Sequence, residues 1–179
     1  MRALVGTAAL VVTLGLVAGC IPTDDAPRAG QGAATAVLKD AEGADKGRVT
    51  ISPAGSGKLR LTLDAMGMPP GTRAFHVHTT GRCDGPGFTT AGGHWNPAMK
   101  QHGRDNPMGA HAGDMPNLSI GADGRGRITA DIDGDLAALL DADGAAVIVH
   151  AAPDDYRTDP TGNAGARIAC GVVTVGPVM

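Results

Sequence analysis

Two histidines stand one residue apart in Ala74–His78 (AFHVH). A strand sends successive side chains to opposite faces. Phe75 and Val77 can therefore enter a core on one side while His76 and His78 present two nitrogen ligands on the other. His150 closes AAVIVH in the same manner, with Val147 and Val149 on one face and Ile148 and His150 on the other. The other three histidines, His94, His102 and His111, lie in GGHWNPAMKQHGRDNPMGAHAGD, which also carries Asp114. Three imidazoles and a carboxylate (His94, His102, His111, Asp114) suit tetrahedral zinc with no position left open, the pattern of a structural site. His76, His78 and His150 form a nitrogen-only group. Imidazole suits copper, and copper(II) prefers a tetragonal field that wants a fourth nitrogen. All six histidines are then in use. Either His94 serves both groups or the copper group stops at three protein ligands. Taken singly, each histidine reads as well as a solvated side chain, and a His-rich loop alone also fits a loose zinc scavenger.

These groups need a frame. Short runs with strand character are ATAVLK, GRVTIS, KLRLTLD, RAFHVH, NLSIG, GRITADI, AAVIVHA and ARIACGVVTV. Turn signals such as EGADKG, PAGSG, MPPG, ADGRG and DADG separate most of them. Only DGDLAALLDADG has room for a helical turn or two. Glycine is abundant at 28 residues and aromatics are scarce at 2%, which suits tight turns and a core of Val, Ile and Leu. The expectation is an all-β domain: an eight-stranded antiparallel Greek-key β-barrel or sandwich. Two long connections break the rhythm, from Thr79 to about Pro116 and from Pro153 to about Gly165. Long loops in a compact domain are commonly functional, and all the histidines lie in or beside these two.

The amino terminus reads differently. Arg2 precedes an apolar stretch that ends in LVAGC, the form of a signal peptide over residues 1–19 with cleavage before Cys20. LVAGC resembles a bacterial lipoprotein box, so lipidation of Cys20 is expected, with residues 20–33 as lipidated cysteine and flexible tether and residues 34–179 as the domain. Ile21, where an inner-membrane retention signal would place Asp, leaves the outer membrane as the expected anchor, facing the periplasm. If Cys20 carries lipid, Cys83 and Cys170 remain. They are either one disulfide, in an envelope that permits it, or two free thiols. A net charge of −3 gives no reason to expect a nucleic-acid partner.

The series FHVH…HWNP…HG…HAGDMPN…VIVH…GNAGARIACG resembles the copper/zinc superoxide dismutases, in particular their bacterial envelope forms, from about Thr35 to Val175. The resemblance implies a Greek-key β-barrel, one copper and one zinc per subunit, and superoxide as substrate. Copper would be held by His76, His78, His94 and His150, and zinc by His94, His102, His111 and Asp114. His94 would be the bridging ligand and proton donor. Cys83 and Cys170 would form the disulfide, Arg167 would be the guanidinium at the active-site mouth, and Asp154 would accept from His76 and His102. Thr161 would line the mouth and Trp95 pack beside the bridge. Two divalent ions, less a bridging imidazolate and Asp114, leave about +2 for attracting an anion. DDYRTDPTGNAG is short beside the charged loop of animal members, so steering residues of that loop do not carry over; Lys58, Lys100, Arg82 and Arg104 are weighed as substitutes, with a plain solvated charge the favoured reading for each. The state is expected to be monomer or homodimer. The competing readings are an envelope copper- or zinc-buffering protein without useful turnover and a structural lipoprotein on a retired fold; the latter predicts eroded ligands, and none is missing.

Overall fold

The computed structural model describes residues 32–176. The expected leader, Cys20 and the part of the expected tether up to residue 31 lie outside the described residues, as do residues 177–179. The strands are β1 (Ala34–Lys39), β2 (Asp45–Gly55), β3 (Lys58–Ala65), β4 (Gly71–Arg73), β5 (Phe75–His78), β6 (Leu118–Ile120), β7 (Gly126–Asp133), β8 (Ala146–His150), β9 (Arg167–Val172) and β10 (Thr174–Val175). A single helical turn, α1 (Leu136–Leu139), falls where DLAALL stood out, capped by Asp135 accepting from the Ala138 N–H.

All pairings are antiparallel. The main sheet runs β5-β8-β9-β1-β2-β3-β7, with β10 beside β1, and β4 pairs β6. This small ribbon closes the sheet into a barrel: β6 packs against β7, β6 pairs β4, and β4 runs through Ala74 into β5. β3 lies next to β7 rather than β4, so the chain crosses over an end of the barrel before returning, the Greek-key order.

Two of the expected strands divide. RAFHVH breaks at Ala74, whose N–H donates to Ala152 and whose carbonyl accepts from the His150 N–H. ARIACGVVTV breaks at Val173, whose N–H turns to the Ala145 carbonyl. In each case the chain changes partner at a barrel corner. Eight expected runs thus become ten segments of the same architecture.

The period-2 pattern decides which side of each strand is buried. Val49 and Ile51 of β2, Leu59, Leu61 and Leu63 of β3, and Leu38 of β1 all lie at 0–1% exposure in one core. The intervening residues of β3 face outward and meet complementary partners directly across on β7: Lys58 with Asp133, Arg60 with Asp131, Thr62 with Thr129 and Asp64 with Arg127. Exposed pairs of this kind contribute little each, but like charges at those positions would oppose the register.

Strands β5 and β8 are buried on both faces, where a half-buried β5 was expected from the sequence. Phe75, Val77, Val147 and Val149 enter the main core. The opposite face is roofed by the long loops. Ile148, Ala146 and Cys170 pack there against Phe88 and Ala91 in a smaller cluster, and the histidines lie beside it.

Candidate functional site

The first long loop reaches β5 by backbone pairing. Trp95 donates to the Val77 carbonyl (2.8 Å), Gly113 donates to the Trp95 carbonyl (2.8 Å), and Val77 donates to the Gly113 carbonyl (3.0 Å). Bridges His76–Asp114 and His78–His94 extend this contact. A Cβ on Gly113 would stand 2.3 Å from the Val77 oxygen, so only glycine permits the approach. The Trp95 ring packs into the main core with Gly134 against it. Loop ligands are thereby set down beside strand ligands.

The side chains gather into two sets that share one residue. His76, His78, His94 and His150 have ligand atoms within 4.8 Å of one another, and so do those of His94, His102, His111 and Asp114. In the second set Asp114 Oδ1 lies 2.9, 3.0 and 3.2 Å from Nδ1 of His94, His102 and His111. Nδ1 of His94 is 3.2 Å from that of His102 and 3.5 Å from that of His111. Nitrogens bound to one tetrahedral zinc at about 2.05 Å lie about 3.3 Å apart. The donors therefore fit zinc.

The first set is marked by its unpartnered atoms. His76 Nδ1, His78 Nε2, His94 Nε2 and His150 Nε2 are buried without a protein hydrogen-bond partner. Their opposite nitrogens explain why three of them are free to bind. His78 Nδ1 faces the Gly92 carbonyl (3.0 Å) and His150 Nδ1 the Gly165 carbonyl (3.2 Å). A carbonyl only accepts, so both Nδ1 atoms carry the proton and both Nε2 atoms keep a lone pair. His76 is reversed, because its Nε2 donates to Asp154 Oδ2 at 2.7 Å, leaving Nδ1 as the ligand atom. Four converging lone pairs of imidazole fit copper.

His94 differs from all the others. Its Nδ1 belongs to the zinc set and its Nε2 to the copper set, so neither nitrogen is spent on an outer acceptor. That is the arrangement of a ring that bridges two cations.

Asp154 joins the sets from outside, accepting from His76 Nε2 and, at 3.0 Å, from His102 Nε2. Asn117, which the sequence did not single out, clasps its backbone: the side chain donates to the Asp154 carbonyl (2.9 Å) and accepts from the Asp154 N–H (2.8 Å). Gly162 closes the other side, where an added Cβ would stand 2.0 Å from Asp154 Oδ1.

Cys83 and Cys170 form a disulfide that ties the first loop to β9. Arg167, on the same strand, donates to the carbonyls of Phe88 (2.7 Å) and Gly92 (2.6 Å). Its guanidinium and Thr161 line a cavity of about 340 Å³ with His78, His94, His111 and His150. Lys58, Lys100, Arg82 and Arg104, weighed above as steering charges against plain solvated ones, do not line it. Lys58 is paired with Asp133 and Arg82 with Asp84, while Lys100 and Arg104 border a different cavity beside His111 and Asp114. Spacing in the chain gave no sign of this, because facing one cavity rather than another depends on how the loop folds back.

Burial dominates the electrostatics of the copper-set imidazoles. It pushes His94 down to about 4, although its contact with Asp114 opposes this, and His150 down to about 3, with His76 adding to the effect. Burial and His94 together lower His78 as well. At His102 burial is overcome by Asp114 and Asp154, which raise it to about 9. Both carboxylates are held well below the usual range by their histidine partners, against the opposing effect of their own burial.

A pH dependence follows for the chelator-treated protein. Below the unfolded imidazole value of about 6.5, the unfolded chain takes up protons that folded His78, His94 and His150 refuse, so stability falls as pH falls toward their native values. Asp114 and Asp154 act in the same direction at lower pH. His102 runs the other way, its contribution being present in full below about 6.5 and lost as pH rises through about 9, so it leaves the acid side unchanged. Thermal unfolding of metal-free protein should show Tm declining from pH 6.5 to pH 4; a flat or rising Tm would contradict the assignment of neutral, buried rings.

A family model described as copper/zinc superoxide dismutase (SODC) matches residues 45–173. The chain is 45% identical over 150 residues to superoxide dismutase (Cu-Zn) of Caulobacter vibrioides, covering 78% of this chain and 84% of that one. It is 42% identical over 149 residues to superoxide dismutase (Cu-Zn) 2 of Aquifex aeolicus, covering 78% and 85%. Among solved structures, a SOD-like protein from Bacillus subtilis superposes with a TM-score of 0.71 at 39% identity, covering 77% of this chain and 96% of that one. Cu/Zn superoxide dismutase from Brucella abortus gives 0.63 at 32% identity, covering 78% and 98%.

Proposed function

The chain belongs to the copper/zinc superoxide dismutase family, and from that premise we propose that it converts two superoxide anions and two protons to oxygen and hydrogen peroxide. Copper would be held by His76, His78, His94 and His150, and zinc by His94, His102, His111 and Asp114. The single observation that carries this reading is His94, with one nitrogen in each set and no outer acceptor. When bound, copper supplies one-electron exchange and zinc supplies a fixed positive charge of unchanging oxidation state.

The chain's own groups supply the rest. Asp154 and the carbonyls of Gly92 and Gly165 hold three rings in the tautomers that keep lone pairs pointing inward. Arg167 offers a positive charge in the cavity wall, where a small anion is drawn toward His94. His94 Nε2 has one lone pair, for copper or for a proton; when free of copper it would take a proton and pass it to the reduced substrate, while its Nδ1 stays on the zinc side. Gly93, Pro160 and Gly165 keep the wall free of acidic side chains. The complete ligand sets together with a guanidinium at the cavity favour the enzyme over a metal-buffering protein. At the amino terminus, LVAGC supports cleavage before Cys20 and lipid attachment there, which would hold the enzyme on the periplasmic side of the outer membrane; mass analysis of the mature protein tests this, and an unmodified Cys20 would end it.

Superoxide decay measured on protein of known copper and zinc content tests the activity. His150→Ala should reduce turnover to background. Arg167→Ser should lower it about ten-fold or more and weaken inhibition by small anions, with metal content unchanged. Background decay from the metal-replete parent protein would overturn the assignment.

A further inference from the structure

We infer that Asp159, in the second long loop, is a positioning residue for the zinc set, acting on two of its ligands at once. The inference rests on the zinc assignment above. Asp159 Oδ1 accepts from the backbone N–H of His102 at 2.5 Å. The same oxygen lies 3.9 Å from His111 Nε2, the nitrogen left over once His111 Nδ1 has turned to Asp114. His102 thus has Asp154 on its ring and Asp159 on its backbone, while His111 faces Asp159 alone of the two carboxylates.

The rest of the loop is built separately. Asp155 accepts from the backbone of Arg157 and Thr158, from the Thr158 hydroxyl and from Asn163, which folds the loop on itself without touching a ligand. Asp159 is a second point, beyond Asp154, where the loop is fastened to the zinc ligands. Pro160 and Thr161, the next residues, line the Arg167 cavity. One carboxylate therefore ties the His102 backbone to the start of the cavity wall and stands beside His111. Its side chain is 46% exposed, so solvent screens its charge at His111, and the bond to His102 N carries the larger part of the effect.

The test measures zinc release from the copper- and zinc-loaded protein to an excess of chelator. Asp159→Ala should release zinc about ten-fold faster, with Asp159→Asn in between because its amide oxygen still accepts from His102 N. With cobalt(II) in place of zinc, the visible ligand-field bands should shift in Asp159→Ala, which reports ligand geometry independently of turnover. Asp155→Asn, which loosens the same loop without contacting a ligand, should release zinc at close to the parent rate. If Asp155→Asn matches Asp159→Ala, general loosening accounts for the result and the inference fails. A parent protein that holds zinc, with Asp159→Ala releasing it no faster, overturns the role of Asp159 alone. A parent protein that takes up no zinc overturns the assignment of the set as well.

Discussion

His94→Ala should weaken both metals together and leave superoxide decay at background. Every other ligand belongs to one set, so His150→Ala should lower copper content with zinc retained, and His111→Ala should do the reverse. His94 alone has Nδ1 among the zinc donors and Nε2 among the copper donors. Its removal takes one of four donors from each. Loss of an outer partner commonly costs 10–100-fold in affinity; loss of this inner ligand should cost at least about 100-fold on each side. The ring also holds the proposed proton, so turnover should not recover when metals are supplied in excess. Equilibrium competition with chelators, metal by metal, reads the result. If His94→Ala keeps zinc as tightly as the parent does, the shared ring is not a bridge and the proton route through it is lost.

Asp154→Ala should produce the next largest effect, at a residue that is no ligand in either set. Its carboxylate accepts from His76 on the copper side and His102 on the zinc side, and all three side chains are fully buried. Without it, two buried ring nitrogens lose their acceptor, at about 1–3 kcal/mol for each group left unsatisfied. The rings are then free to turn or change tautomer. Zinc affinity should fall about 10–100-fold, and Tm of the metal-free protein should drop. Asp154→Asn is the discriminating companion. An amide has one acceptor oxygen, so it can serve His76 or His102 but must present N–H groups to the other. It should fall between the parent and Asp154→Ala. Equal zinc affinity in all three would mean that Asp154 does not orient the rings.

Much of this site was legible in the sequence because its parts are local. H-x-H in a strand places two imidazoles on one face whatever the rest of the chain does. The alternation in KLRLTLD and the apolar faces of AFHVH and AAVIVH similarly identified the side that enters the core. The departures are long-range. Ala74 and Val173 end strands because their backbone groups find partners across a barrel corner. Lys58 and Arg82 are spent in ion pairs, and Lys100 and Arg104 belong to a second cavity, none of which spacing along the chain reveals.

Amino-acid types and local periodicity determined which side chains could bind metal, how many there were, and which faces of β5 and β8 carry them. The tertiary structure decided which nitrogen of each ring is left free, because that depends on an acceptor brought from elsewhere: Gly92 for His78, Gly165 for His150 and Asp154 for His76. It also brought in Asn117 and Asp159, two ordinary polar residues in sequence whose roles exist only once the two loops meet. Imidazole has two nitrogens and one proton, and only the folded surroundings choose between them.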